Sequence, residues 1–153
     1  MALFAVSPAL RSHTSRYGEV HRTPANVALH FAGIPALLVS FLGLLSKAPL
    51  SDGEVLSGAR PDAAWLVLLS AGLWYVWQDP RAGVLIDAVL VGCYAIGSVL
   101  SLGPLAALFG VGVIAHVIGH YGFEHKSPAL LSRPVAVLEA PAWLTLKLIG
   151  LYR

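Results

Sequence analysis

The sequence predicts an all-α integral membrane protein, a bundle of four spanning helices followed by a C-terminal interfacial or re-entrant segment. Composition is the first reason. Of 153 residues, 57% are hydrophobic and 12% charged, against roughly 25% charged in soluble domains. Mean hydropathy is +0.74. The second reason is that apolar runs near the ~20 residues a bilayer demands recur along the chain, separated by Gly, Pro and Asp signals. One membrane domain over 1–153 is expected, with a polar lead-in at 1–22, a four-helix core at 23–121 and the C-terminal segment at 122–153.

The lead-in carries Arg11, Arg16 and Arg22 with His13 and His21. Its apolar start precedes these arginines, the reverse of a secretory signal. Thr23-Pro24 reads as a helix start, Thr capping and Pro at the first helical position. The first run, about Val27–Ser46, contains Pro35, which is expected to kink it by freeing the Phe31 carbonyl. Lys47–Asp62 reads as a loop with Asp52-Gly53, Gly58 and Pro61 as its signals. Ala63–Trp77 is a second, shorter run, ending in the interfacial aromatics Trp74, Tyr75 and Trp77. Gln78–Arg81 makes a tight turn. Ala82–Leu102 is the third run and contains Asp87, which is expected to face the bundle interior because a lipid-facing carboxylate is costly. Gly103-Pro104 is expected to turn into the fourth run, Leu105–Tyr121. Leu130–Tyr152 is apolar but interrupted by Pro134, Pro141, Glu139 and Lys147.

Four passes would put both termini on one side with Arg11, Arg16, Arg22, Arg81, Lys126, Arg133, Lys147 and Arg153, leaving Lys47 and Arg60 opposite. That asymmetry predicts cytoplasmic termini. The Ala/Leu/Gly/Val-rich background fits a bacterial inner-membrane protein. A net charge of +2 without a basic, aromatic-interleaved stripe argues against nucleic acid. The single Cys93, inside an apolar run, excludes disulfides and paired-cysteine metal sites.

Chemistry concentrates in the histidines. His116 and His120 are four apart, about 40° from one another around an α-helix, and so share a face. Glu124 extends that stripe if the helix survives Gly119 and Gly122. His21 and His30 are nine apart, on opposite faces of an unbroken helix, but the Thr23-Pro24 break lets His21 fold back over the helix start. Antiparallel topology brings both pairs to one membrane face. Four imidazoles there suit Fe, Zn, Cu or Ni. They equally suit a haem held by His30 with His116 or His120 in an electron-transfer protein, or a non-enzymatic bundle with buried, hydrogen-bonded histidines. His13 and His125 are expected to be solvated. The pair His116-Val-Ile-Gly-His120 lacks the Glu of a zinc protease, six histidines are too few for the boxes of membrane di-iron desaturases, and neither a phosphate loop nor a serine elbow is present.

Two blocks carry a family resemblance: His21-Arg-Thr-Pro24-Ala-Asn26-Val-Ala-Leu-His30-Phe-Ala-Gly33-Ile34-Pro35, and Gly119-His120-Tyr-Gly-Phe-Glu124-His-Lys-Ser-Pro128-Ala129-Leu130. Together they resemble the 2-hydroxy fatty acid dioxygenase family, whose fungal members serve fatty acid α-oxidation in phytosphingosine breakdown. The resemblance covers roughly residues 17 to 150. It implies an Fe(II) site built from His21, His30 and His120 as the catalytic ligands, a 2-hydroxy fatty acid and O2 as substrates, and shortening of the acid by one carbon. His116 stands where many relatives carry Gln, and is either a fourth ligand or a support of the site. Asn26 and Glu124 match motif positions and are expected to brace the ligands. Asp87 is expected near the metal end, and Arg22, Lys126 or Arg133 to meet the substrate carboxylate.

Overall fold

The computed structural model describes residues 4–51 and 60–152. Asp52-Gly53, Gly58 and Arg153 lie outside the described residues. Six helices follow in order: α1 (Pro8–Gly18), α2 (Pro24–Leu45), α3 (Ala63–Gln78), α4 (Pro80–Val99), α5 (Leu102–Val117) and α6 (Ala136–Leu148). A π-helical turn, Ile118–Glu124, prolongs α5, and a 3₁₀ turn, Ala129–Leu131, precedes α6. No strand forms among the described residues; Pro49 and Asp62 make an isolated bridge that closes the 47–62 loop at its base.

Local chemistry sets the helix ends. The hydroxyls of Ser7 and Thr23 accept from Leu10 N–H and Asn26 N–H, and Pro8 and Pro24 occupy first-turn positions with no N–H to orphan. Asp62 caps α3, and Asp79 alone separates α3 from α4 while capping the latter through Arg81 and Ala82 N–H. The turn expected at Gly103-Pro104 lies instead at Leu100–Ser101. Pro104 sits in the first turn of α5, where its missing N–H has no intrahelical acceptor to satisfy. Pro35 and Pro141 are likewise carried inside continuous helices.

Three helices are long and apolar enough to cross a membrane: Pro24–Leu45, Pro80–Val99 and Leu102–Glu124. The remaining expected span, α3, is apolar but has 16 residues, about 24 Å at 1.5 Å per residue. α2 is the hub, packed against α5, α4, α3 and α6. Small residues let backbones meet there. A Cβ at Gly97 would strike the Val39 carbonyl and the Gly43 backbone, and one at Gly33 would come within 3.0 Å of His116 Nδ1.

The two ends of the chain pack on each other. The lead-in is helical, and α1 lies against α6, which also meets α4 and α2. Eight of the thirteen α6 residues are buried, so this helix is built into the core. Trp143 is fully buried in it beside Tyr17 and Ile34, and Tyr75 donates to the Leu138 carbonyl at 2.8 Å. Cys93 packs with Leu42 and Ala64.

The glycine contacts make a direct prediction. Gly97→Ala should lower stability by about 1–3 kcal/mol, the usual cost of overpacking, seen as a lower Tm in detergent. Gly92→Ala, whose added methyl would meet nothing within 4 Å, should leave Tm unchanged or raise it.

Candidate metal centre

Four histidines converge where α2 begins and α5 ends. Ring centroids are 4.3 Å apart for His21 and His30, 4.9 Å from each of these to His120, and 4.3 Å from His30 to His116. His21, His30 and His120 are buried, and each offers one nitrogen within 4.8 Å of the others. This trio could hold a metal ion. His116, half-buried, touches His30 from the α5 side and stands outside the trio.

The backbone fixes which nitrogens face the centre. His21 Nδ1 lies 2.6 Å from the Tyr17 carbonyl, His30 Nδ1 2.9 Å from the Asn26 carbonyl, and His116 Nδ1 2.9 Å from the Gly112 carbonyl. A carbonyl only accepts, so each Nδ1 carries the proton and each Nε2 keeps a lone pair. The Nε2 atoms of His21 and His30 are buried with no partner, as is Nδ1 of His120. In His21 and His30 the orphaned lone pair stands opposite an anchored ring nitrogen, which is how metal-binding imidazoles are set up. Burial, aided by the neighbouring imidazoles, holds His21 down at about 4, so it stays neutral at physiological pH.

Glu124 braces the arrangement. Its Oε1 accepts from Arg22 N–H and Thr23 N–H, both at 2.7 Å, from the Thr23 hydroxyl at 3.1 Å and from Asn26 Nδ2 at 3.2 Å. The motif stripe therefore does reach Glu124, through the π turn, three residues beyond the expected end of the core. A Cβ at Gly119 would strike Asn26 Oδ1 and come within 3.1 Å of His30 Cε1, so only glycine lets this turn lie so close on α2. His125, at φ 53°, ends the turn, and Lys126 N–H donates to the His120 carbonyl at 3.1 Å.

The other expected residues stand outside the ring cluster. Asp87 lies against Gly72 of α3 with Oδ1 unpartnered, and takes no part in the ring contacts of the cluster. Arg22 donates through Nε to the Glu19 carbonyl. Arg133 is an ion pair with the fully buried Glu139 at 3.0 Å, a charge contact without hydrogen-bond alignment, since Oε2 has no hydrogen-bond partner. His125 is exposed as expected. His13 is only partly exposed: its Nδ1 lies 3.0 Å from Glu139 Oε1 and its ring stands edge-on to Trp74.

Sequence reasoning missed what lies beneath His21. Tyr17 stacks on its ring at 4.2 Å and Trp143 tilts against it at 5.3 Å. Burial and the charge of Glu139 push the Tyr17 phenol well above its usual range, so it remains a neutral hydroxyl. The available signal was Glu139, a lone acid within an apolar helix.

The chain matches the family described as 2-hydroxy-palmitic acid dioxygenase Mpo1-like over residues 8–151. It belongs to that family. The match takes in all four clustered histidines and Glu124, and extends to α1 and α6 beyond the two motif blocks. No match to the chain was found among curated proteins or among solved structures.

Glu124→Ala would strand four donors at the start of α2. Loss of such an outer support typically costs 10- to 100-fold in metal affinity. Competition with a chelator should register that loss while the far-ultraviolet circular dichroism keeps its helical signature.

Proposed function

We propose that this protein is an Fe(II)-dependent dioxygenase that shortens 2-hydroxy fatty acids by one carbon with O2. The observation that carries the reading is the buried trio His21, His30 and His120, each with a buried ring nitrogen left unpartnered and each offering a nitrogen within 4.8 Å of the others. Its membership of a dioxygenase family supports the same reading. The ligand chemistry fits iron, since imidazole suits this metal and three ligands leave positions for substrate and O2.

The stoichiometry closes. A 2-hydroxy acid and one O2 give the next shorter acid, CO2 and water; the acid loses four electrons and O2 gains them, with no further reductant. Iron bound by the trio would supply O2 activation and a Lewis-acidic anchor for the carboxylate and hydroxyl of the acid. The protein's own residues do the rest. Tyr17 and Asn26 carbonyls hold His21 and His30 in one tautomer, Glu124 and Asn26 fix the start of α2, and Trp143 and Tyr17 keep water from the floor of the site. Arg133 is committed to Glu139, so Lys126 or Arg22, exposed at the rim, meets the substrate carboxylate. His116, anchored to Gly112 and touching only His30 of the trio, is a loosely held fourth ligand or a support of His30.

A haem between His30 and His116 or His120 is disfavoured by the ring contacts, at 4.3 and 4.9 Å, which leave no slot for a porphyrin plane. Metal analysis of purified protein tests the proposal. His30→Ala and His120→Ala should each lose bound iron and turnover together, whereas His116→Gln should keep iron and a measurable share of activity. Stoichiometric iron in the His30→Ala/His120→Ala double variant would refute the site.

We also place the chain in the membrane with four passes and both termini cytoplasmic. Contact between Glu124 and Arg22–Thr23 brings the start of α2 and the end of α5 together, which supports an even number of crossings. With α2, α4 and α5 long and apolar enough to span, α3 is the fourth crossing in this reading, packed along α4 after the single-residue break at Asp79. The native Cys93 is buried, so Arg60→Cys should be the reactive site for a membrane-impermeant thiol reagent applied to intact cells. Labelling only after the cells are opened would reverse the orientation.

A further inference from the structure

A crevice leaves the metal centre along the seam between α2 and α5, with a volume of about 380 Å³. Two stripes line it. Ile34, Leu37 and Phe41 descend α2, and Val113 and Phe109 descend α5 from His116 and His120. The 3₁₀ turn at Ala129–Leu131 and the start of α6 roof the end nearest the histidines. Apart from those histidines and Tyr17, the walls are hydrocarbon. Farther down, the crevice opens sideways: Phe41, Phe109 and Val113 are 44%, 42% and 40% exposed, on the faces of helices long and apolar enough to span.

From this geometry we infer that the crevice holds the acyl chain of the substrate, admits it laterally from the bilayer, and measures its length against Phe41 and Phe109. The inference rests on the proposed function and deepens it. A polar cluster at one end of a narrow apolar slot fits a ligand with a chelating head and a single alkyl tail. Length agrees with volume. His30 to Phe41 and His120 to Phe109 are both eleven residues, about 16 Å of helix at 1.5 Å per residue. An extended chain advances ~3.5 Å over three bonds, so about 14 bonds separate the histidines from the two phenylalanines. A methylene occupies about the space of a water, roughly 30 Å³, and the crevice volume accommodates on the order of a dozen. Chain atoms up to the phenylalanine pair are held by protein; those beyond it lie among lipid tails and add little.

The test measures displacement of a fluorescent polyene fatty acid from the purified protein by a homologous series of straight-chain 2-hydroxy acids, with turnover of the same series read in parallel. For the native protein, affinity should rise with each added methylene, by up to about fourfold per group, and level off near the length set by the phenylalanines. Phe41→Ala and Phe109→Ala, which remove the last protein contacts along the slot, should move that break to shorter chains. Leu37→Trp, which fills the slot midway, should also move it to shorter ones and serves as the second probe if an alanine variant fails to fold. The same break in all variants would overturn the inference while leaving the dioxygenase reading intact. Shifted breaks without turnover in the native protein would support the crevice and defeat that reading.

Discussion

One carboxylate holds the molecule's two functional blocks together. Glu124 stands at the last turn of the fifth helix and receives three backbone or side-chain donors from Arg22 and Thr23 and a fourth from Asn26. A negative charge at a helix N-terminus is favoured by the orphan N–H groups and the helix dipole there. Here the charge comes from a residue about a hundred positions away. Without it, the helix carrying His30 and the helix carrying His116 and His120 would share a seam of small residues but no fixed height. The histidines need both: lateral closeness from Gly33, Gly112 and Gly119, and vertical alignment from Glu124.

The π turn refines that alignment. His116 and His120 look equivalent in the sequence, four apart on one face. In the structure the helical winding changes between them, α through Val117 and π from Ile118. π turns are rare and often occur at functional sites. This one carries His120 over the start of α2, into contact with His21 and His30, and leaves His116 one turn lower, against His30 alone. The asymmetry between the two histidines is thus a property of backbone winding as well as of burial.

The parts of the molecule legible in the sequence are those encoded by neighbours along the chain. Thr23-Pro24 announces a helix start because capping chemistry is local, and this break is what frees His21 to fold back over His30. Convergence of the two histidine pairs follows from antiparallel passes alone. Hidden were features that depend on distant partners or on subtle winding. Nothing near His13 marks it as the partner of Glu139, 126 positions later. The lead-in reads as polar because α1 has a polar outer face, and its buried side, Leu10, Thr14 and Tyr17, matters only once α6 is in place. Gly103-Pro104 gives the same compositional signal whether it forms a turn or a first helical turn. Hydropathy does not distinguish α from π over Ile118–Glu124.

The embrace between the ends of the chain has a consequence for biogenesis. Ser7 donates from its backbone to Asp79 and from its hydroxyl to the Gln78 carbonyl, and α1 rests on α6, which leaves the ribosome long after it. Proteins emerge N-terminus first, so α1 must wait for the turn between α3 and α4, and then for α6, before it has its place to dock. His21 hangs from the end of that waiting helix, and its neighbours Glu124, His120 and Trp143 all arrive late. The cluster therefore closes only after α5 and its π turn are made, and a chain that stops before α6 carries all four imidazoles but lacks the Trp143 floor beneath His21.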